Sequence, residues 1–188
     1  MKIFLCIVAS VFVLTACAAT NRHEAQLNET LTYTLPEVPW KGDDINAHQQ
    51  VSLSFADKEI QLTAALRLRQ GEVRVIFLDM TGQRVLDLIW TQQNLLVERA
   101  AWLPEQVSAT DVLARIVLAY WPAREVEPGL TDNMALIQKP LSRFYTYSDQ
   151  PFIKIQYSEE DIWNSRTVID QPGSAFRLVI SSQLKGVN

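Results

Sequence analysis

The residues best equipped to do chemistry are Leu14-Thr15-Ala16-Cys17. A thiol behind small residues, at the end of an apolar run, is the pattern of a bacterial lipobox. Each residue type has a chemical reason. Small side chains before the cut let a signal peptidase close on the backbone. The Cys17 thiol is the nucleophile that takes a diacylglycerol through a thioether. The α-amine freed by cleavage then accepts a further acyl chain. Lys2 supplies the positive n-region, and residues 3–14 are apolar apart from Ser10. That run is shorter than the roughly 20 residues a bilayer-spanning helix needs, so it suits a signal h-region. The spacing predicts a signal peptide over 1–16 and lipidation at Cys17. The competing reading, an ordinary signal that happens to carry a cysteine, is disfavoured because position, h-region and all four lipobox residues agree. Cys6 leaves with the signal, so the mature chain keeps a single cysteine and forms no internal disulfide. Several acyl chains on one residue make a lasting anchor, because each buried methylene contributes about 0.8 kcal/mol.

The remaining sequence offers little catalytic chemistry. It holds no Gly-x-Ser-x-Gly elbow, no phosphate-cradling glycine loop and no His-Glu-x-x-His. His23 and His48 are too isolated for a metal site. Asp43-Asp44 and Glu159-Glu160-Asp161 read as solvated acidic turns. Trp102 and Trp163 suit either a core or a cavity rim. The expectation is a protein that is not an enzyme and uses no metal or cofactor. A formal charge of −4 gives no support to a nucleic-acid partner.

The elements that must carry any function follow from periodicity. Residues 17–35 read as the lipidated cysteine and a polar tether, rich in His23, Glu24, Gln26, Asn28 and Glu29. A flexible tether of that length reaches roughly 20–25 Å. Residues 36–188 read as one domain. Ile60, Leu62, Ala64, Leu66 and Leu68 alternate with polar partners, as in a half-buried antiparallel strand. Turn signals at Gln70-Gly71, Thr81-Gly82 and Gln92-Gln93-Asn94 divide 51–55, 59–69, 73–80, 84–90 and 95–99 into a five-stranded meander. Ser108 followed by Asp111 resembles a capping box, and Pro122 stops the helix predicted over 111–121. Leu113, Ile116, Val117 and Tyr120 share one stripe of it, while Val112, Leu118 and Ala119 cover the remaining faces. A helix apolar nearly all round is buried on more than one side. It must sit in the concavity of the sheet or under a cover. Strands resume over 135–138, 143–148, 152–157, 162–169 and 175–182. The predicted class is mainly β: a curved antiparallel sheet or incomplete barrel with a buried apolar helix as lid.

That order of parts resembles the LolB-like outer-membrane lipoproteins of the LolA/LolB-like superfamily. It is most similar to LolB-related lipoproteins of aryl-polyene biosynthesis clusters. The resemblance spans about 50–182. It rests on Gly71 to Trp90, Leu95-Leu96-Val97-Glu98-Arg99, the helix before Pro122, and Phe176-Arg177-Leu178-Val179-Ile180. It implies an open half-barrel that holds acyl chains under a helical lid, and delivery of lipidated cargo, taken from a LolA-like carrier, to the outer membrane. Ala18 after the cysteine points, by the enterobacterial rule, to the outer membrane and its periplasmic face. Met80 falls near the tip of the hairpin Leu78-Asp79-Met80-Thr81-Gly82-Gln83, where LolB carries an exposed apolar residue that faces membrane or cargo; the bland alternative is a residue capping the sheet edge. The apolar rows suggest lining for an acyl-chain cavity: Leu62, Leu66, Val75, Phe77 and Leu88 from strands, and Leu113, Ile116, Val117 and Tyr120 from the helix. The rival reading is that these rows meet and fill the space. A second functional expectation goes with it, a non-catalytic accessory lipoprotein that docks in an envelope complex.

Overall fold

The computed structural model describes residues 23–55, 58–103, 107–173 and 176–185. Cys17 and the lipobox lie outside them. Two short strands come first, β1 (Glu24–Gln26) and β2 (Thr32–Thr34). The predicted meander follows as β3 (Ile45–Phe55), β4 (Lys58–Arg69), β5 (Glu72–Leu78), β6 (Arg84–Thr91) and β7 (Leu95–Arg99). Helix α1 (Ala109–Tyr120) and a short turn of helix, α2 (Ala123–Val126), separate it from a second meander. That comprises β8 (Met134–Lys139), β9 (Ser142–Tyr147), β10 (Gln150–Tyr157), β11 (Arg166–Asp170) and β12 (Arg177–Leu184).

The two meanders join into one ten-stranded antiparallel sheet in the order β7-β6-β5-β4-β3-β12-β11-β10-β9-β8. The junction is β3 against β12, with Val51 opposite Ile180. The fold is the mainly β, curved open sheet expected from the pattern. Alternation in β4 does what the sequence requires: Ala64, Leu66 and Leu68 are buried, while Thr63, Ala65 and Arg69 face outward. Register aligns the inner residues in rows across strands. Ala47, Leu66, Val75 and Leu88 form one such row, and Leu68, Val73 and Trp90 another.

Helix α1 lies against the inner face and belongs to the same apolar cluster as residues from both meanders. Ser108 caps its start, accepting from the Asp111 backbone N–H at 3.4 Å. Arg115, its one polar interior residue, donates to the Asp111 carbonyl at 3.2 Å and sits 4.5 Å over the Phe176 ring. Burial pulls the Arg115 pKa down from its ordinary value.

Two expectations need correction. The first is the polar tether, which as read ran through to residue 35. From His23 onward that segment is folded: β1 and β2 form a hairpin whose Ala25, Leu27, Leu31, Tyr33 and Leu35 are buried. The hairpin packs on α1, where the Gln26 backbone N–H donates to Asp111 Oδ1 at 2.8 Å. It also reaches the chain after α2, through a bridge between Tyr33 and Leu130. The apolar residues behind the polar ones bring it down; the helix left its far side uncovered, and burying that side favours a cover. So α1 has both of the surroundings its composition calls for, the sheet on one side and the hairpin on the other. The second correction is the strand predicted over 162–169. Its first residues form a 3-10 turn, Ile162–Asn164, because Asp161 accepts from the Trp163 N–H at 3.1 Å and from Asn164 Nδ2 at 2.7 Å.

Close approach explains one glycine. A Cβ on Gly129 would lie 2.0 Å from the Thr34 carbonyl and 2.7 Å from the Tyr33 ring, so the hairpin seats there only on a residue without a side chain.

Candidate functional site

The strand and helix residues proposed as cavity lining are brought together. Leu66, Val75, Leu88, Leu113 and Val117 are buried to 2% exposure or less. Phe77, Ile116 and Tyr120 join them in the same cluster, and Leu62 packs against its edge. The structure places them in a continuous apolar interior. Two hollows, of about 450 and 210 Å³, lie elsewhere, and no α1 residue lines either. Leu66 alone of the nine touches one of them, at the opposite face of the sheet.

The lower end of α1 shows why the interior holds its shape. Four carbonyls at a helix C-terminus lack intrahelical partners. Here strands β9 and β10 supply donors for two of them, Leu118 and Ala119, and for the Trp121 carbonyl just beyond. Arg143 Nη1 donates to the carbonyls of Leu118 at 3.0 Å and Trp121 at 2.6 Å. The Tyr145 hydroxyl also donates to Leu118, at 2.7 Å, and the Tyr157 hydroxyl donates to Ala119. A cation at this end of the helix also meets the negative pole of its dipole. Burial pushes the Tyr157 and Tyr120 hydroxyls up to about 12, against a weaker opposing pull from Arg143 on Tyr157 and from the Thr167 hydrogen bond on Tyr120. The Tyr145 hydroxyl is pushed up as well, by burial first. All three phenols therefore stay protonated, and remain donors, across physiological pH.

Aromatic rings close the same end. Tyr120 stacks on Trp163 at 4.7 Å between centroids, and Trp40 meets Trp121 edge-on at 4.9 Å. Trp163, left open between core and rim by its sequence, is half-buried and belongs to this stack. Trp121 Nε1 donates to the Pro39 carbonyl at 2.6 Å. Among the described residues, the Tyr33 hydroxyl is a buried polar group with no hydrogen-bond partner. Burial raises its pKa, so it too stays protonated. Leaving a buried hydroxyl unpaired costs about 1–3 kcal/mol. Tyr33→Phe keeps the ring and removes that cost, so thermal melting should hold or rise; a clear drop in melting temperature would show that the hydroxyl has a partner in solution.

Met80 projects. It is 73% exposed at the tip of the β5–β6 hairpin. Asp79 stiffens that tip: its Oδ1 accepts from the Thr81 backbone N–H at 2.8 Å, the Thr81 hydroxyl at 2.7 Å and the Gln83 N–H at 2.9 Å. Those bonds, the Thr81 hydroxyl first and the Gln83 N–H next, hold the Asp79 carboxyl below its usual pKa. Gly82 takes φ +81°, which lets the chain turn back into β6.

Other large apolar side chains are exposed on β7 and just after it, and one of them is Trp102, which by sequence suited either core or cavity rim. The end of β7 lies at the same end of the sheet as this hairpin, since Arg99 pairs with Leu86 and the Ala100 N–H donates to the Val85 carbonyl at 2.9 Å. Trp102 follows, 56% exposed, and Leu96 and Val97 on β7 are 60% and 42% exposed. Because β7 is an edge strand, both of its faces are open beside an unpaired backbone edge. A signal was present: Leu95-Leu96-Val97 is a run of three apolar residues in a strand, so alternation sends at least one of them outward. Among the described residues, no helix is long and apolar enough to cross a membrane.

These features define a class: a mainly β protein whose open sheet wraps an apolar helix and carries an apolar ridge along its edge strand β7. The chain belongs to the family DUF3261, described as a protein of unknown function, whose model matches residues 46–184. No curated protein matches it. Among solved structures it is similar to a LolA superfamily protein from Nitrosomonas europaea, with 11% identity and a TM-score of 0.38, over 81% of this chain and 90% of that one.

Proposed function

We propose that this protein is an outer-membrane lipoprotein, anchored at the periplasmic face through Cys17. It binds acyl chains or a lipidated cargo and assists their placement in the membrane. The observation that carries the reading is the exposure of four large apolar side chains, Met80 on a stiffened hairpin, Leu96 and Val97 on an open edge strand, and Trp102 just after it. Exposed apolar surface of this kind marks a contact with hydrocarbon or with a partner. The sequence likeness to LolB-related lipoproteins extends the proposal to a LolA-like carrier as donor and to aryl-polyene lipid pathways as the setting. No catalytic step is proposed.

Folding of the hairpin shortens the leash. Only residues 18–22 separate Cys17 from His23, and such a stretch spans at most about 20 Å. The domain in this reading works close to the headgroups.

Native mass spectrometry of the full chain carrying Cys17→Ser, with a fluorescent fatty acid titration beside it, tests the idea. Lipid should co-purify or the probe should bind at micromolar levels. Met80→Asp combined with Trp102→Ser should weaken binding about tenfold or more, since burying one such side chain contributes about 1.5–3 kcal/mol. Melting should not change, as both side chains are exposed. No co-purified lipid together with no probe binding sinks the proposal.

A second reading has its own support in the burial of the proposed lining within the apolar core. With the proposed lining packed as core, the protein acts as a non-catalytic docking subunit of an envelope complex. Pull-down from membranes separates the two: a stable protein partner without bound lipid favours docking.

A further inference from the structure

The outer face of the sheet, turned away from α1, carries a different surface over β3, β4, β5 and β12. The two hollows adjoin there, sharing His48. The smaller sits over Ala65, whose short side chain leaves a gap between His48 on β3 and Ile76 on β5. Cations rim it. Arg67 and Arg74 are direct register partners on β4 and β5. Lys185 arrives beside them because its backbone N–H donates to the Asn46 carbonyl at 2.8 Å, and Asn46 pairs with Arg67. The larger hollow is lined by hydroxyls and amides, including Thr63, Ser181, Gln50 and Gln183, with Arg166 beside them.

Two observations point to a ligand. Among the described residues, neither hollow is lined by an aspartate or glutamate. The whole chain has net charge −4, with more acids than bases. The hollows are thus lined by cations and neutral groups, and the acid Asp87 meets Arg74 outside them. The second observation is Arg67 itself. Its Nε is buried and has no hydrogen-bond partner among the described residues. Arg74, by contrast, is committed in part to Asp87, with Nη2 to Oδ2 at 2.9 Å and Nε to Oδ1 at 3.3 Å. Buried donors are nearly always paired, so an orphaned guanidinium N–H on a residue that lines a cation-rimmed hollow calls for an acceptor. Oxyanions suit it, because a guanidinium presents several donors in a planar fork.

We propose that this outer face binds a phosphorylated polyol. The phosphoryl oxygens sit at Arg67, Lys185 and the free side of Arg74. The hydroxyl groups of the same ligand extend past His48 into the neighbouring hollow of amides and hydroxyls. The proposal does not rest on acyl-chain binding, since neither hollow is lined by Met80, Leu96, Val97 or Trp102.

Isothermal titration of the full chain carrying Cys17→Ser tests it, with inorganic phosphate, glucose 1-phosphate and glucose as probes. Flotation with vesicles of phosphatidylglycerol or of phosphatidylcholine runs in parallel. Saturable binding of glucose 1-phosphate but not glucose supports a soluble ligand. Flotation with phosphatidylglycerol alone, without soluble-phosphate binding, supports a glycerophosphate headgroup as the source. In either case Arg67→Gln should weaken binding about tenfold or more, the worth of a charge-assisted hydrogen bond. Lys185→Gln, at the sheet margin, is the second variant should Arg67→Gln lower the melting temperature. Absence of binding to every phosphorylated probe, or binding indifferent to both substitutions, overturns the proposal.

Discussion

Leu113→Asp or Val117→Asp should leave little folded protein. Both side chains are fully buried, on a helix enclosed by the sheet and by the β1–β2 hairpin. A carboxylate placed in that apolar cluster either carries a charge out of water or takes up a proton at a cost. Leaving one charge of a buried pair uncompensated costs about 3–5 kcal/mol. Loss of the apolar contacts adds about 2–3 kcal/mol. Against a total stability of about 5–15 kcal/mol for a domain, the sum approaches the whole. Circular dichroism melts and soluble yield measure it. Should both variants melt like the parent while fatty-acid uptake falls, the helix would be a mobile lid and the packed interior a closed state of a cavity.

Arg143→Met should cost about 2–4 kcal/mol, the second largest effect expected. The methionine fills similar space but donates nothing. The Trp121 carbonyl then loses the one side-chain donor that reaches it, while the Leu118 carbonyl keeps Tyr145. Tyr145→Phe should be milder, at about 1 kcal/mol, because Arg143 still holds Leu118. Denaturant titrations give both values; the midpoint should shift with the slope unchanged. An equal effect of the two substitutions would mean that Arg143 contributes no more than a neutral donor.

Much of this architecture was legible because its signals are local. Ile60 to Leu68 alternate over enough residues to fix which face of β4 turns inward. The apolar circumference of α1 stated that something must cover its far side. What could not be read was the identity of that cover. Strands β1 and β2 are three residues each, too short for a period of two to stand out, and Glu24, Gln26 and Asn28 disguise the Ala25, Leu27 and Leu31 between them. The pairing of β12 with β3 was also hidden, since it joins residues more than a hundred positions apart. Of the candidate site, Met80 was visible from its place in a turn. The β7 ridge needed the knowledge that β7 is an edge. The Arg67–Arg74 pair needed the register of β4 against β5, which no single strand encodes.

The β1–β2 hairpin has a mechanical consequence. Its open end carries His23 beside Leu35, joined by the Leu35 N–H to the His23 carbonyl at 2.9 Å. Tension entering the chain ahead of His23 therefore loads the hairpin in peel, not in shear: its cross-links are strained one after another, starting with that bond. Peeling needs far less force than sliding a long ladder such as β3 on β4. A tug on the N-terminus thus strips the hairpin first and bares the far side of α1, while the ten-stranded sheet still bears no load.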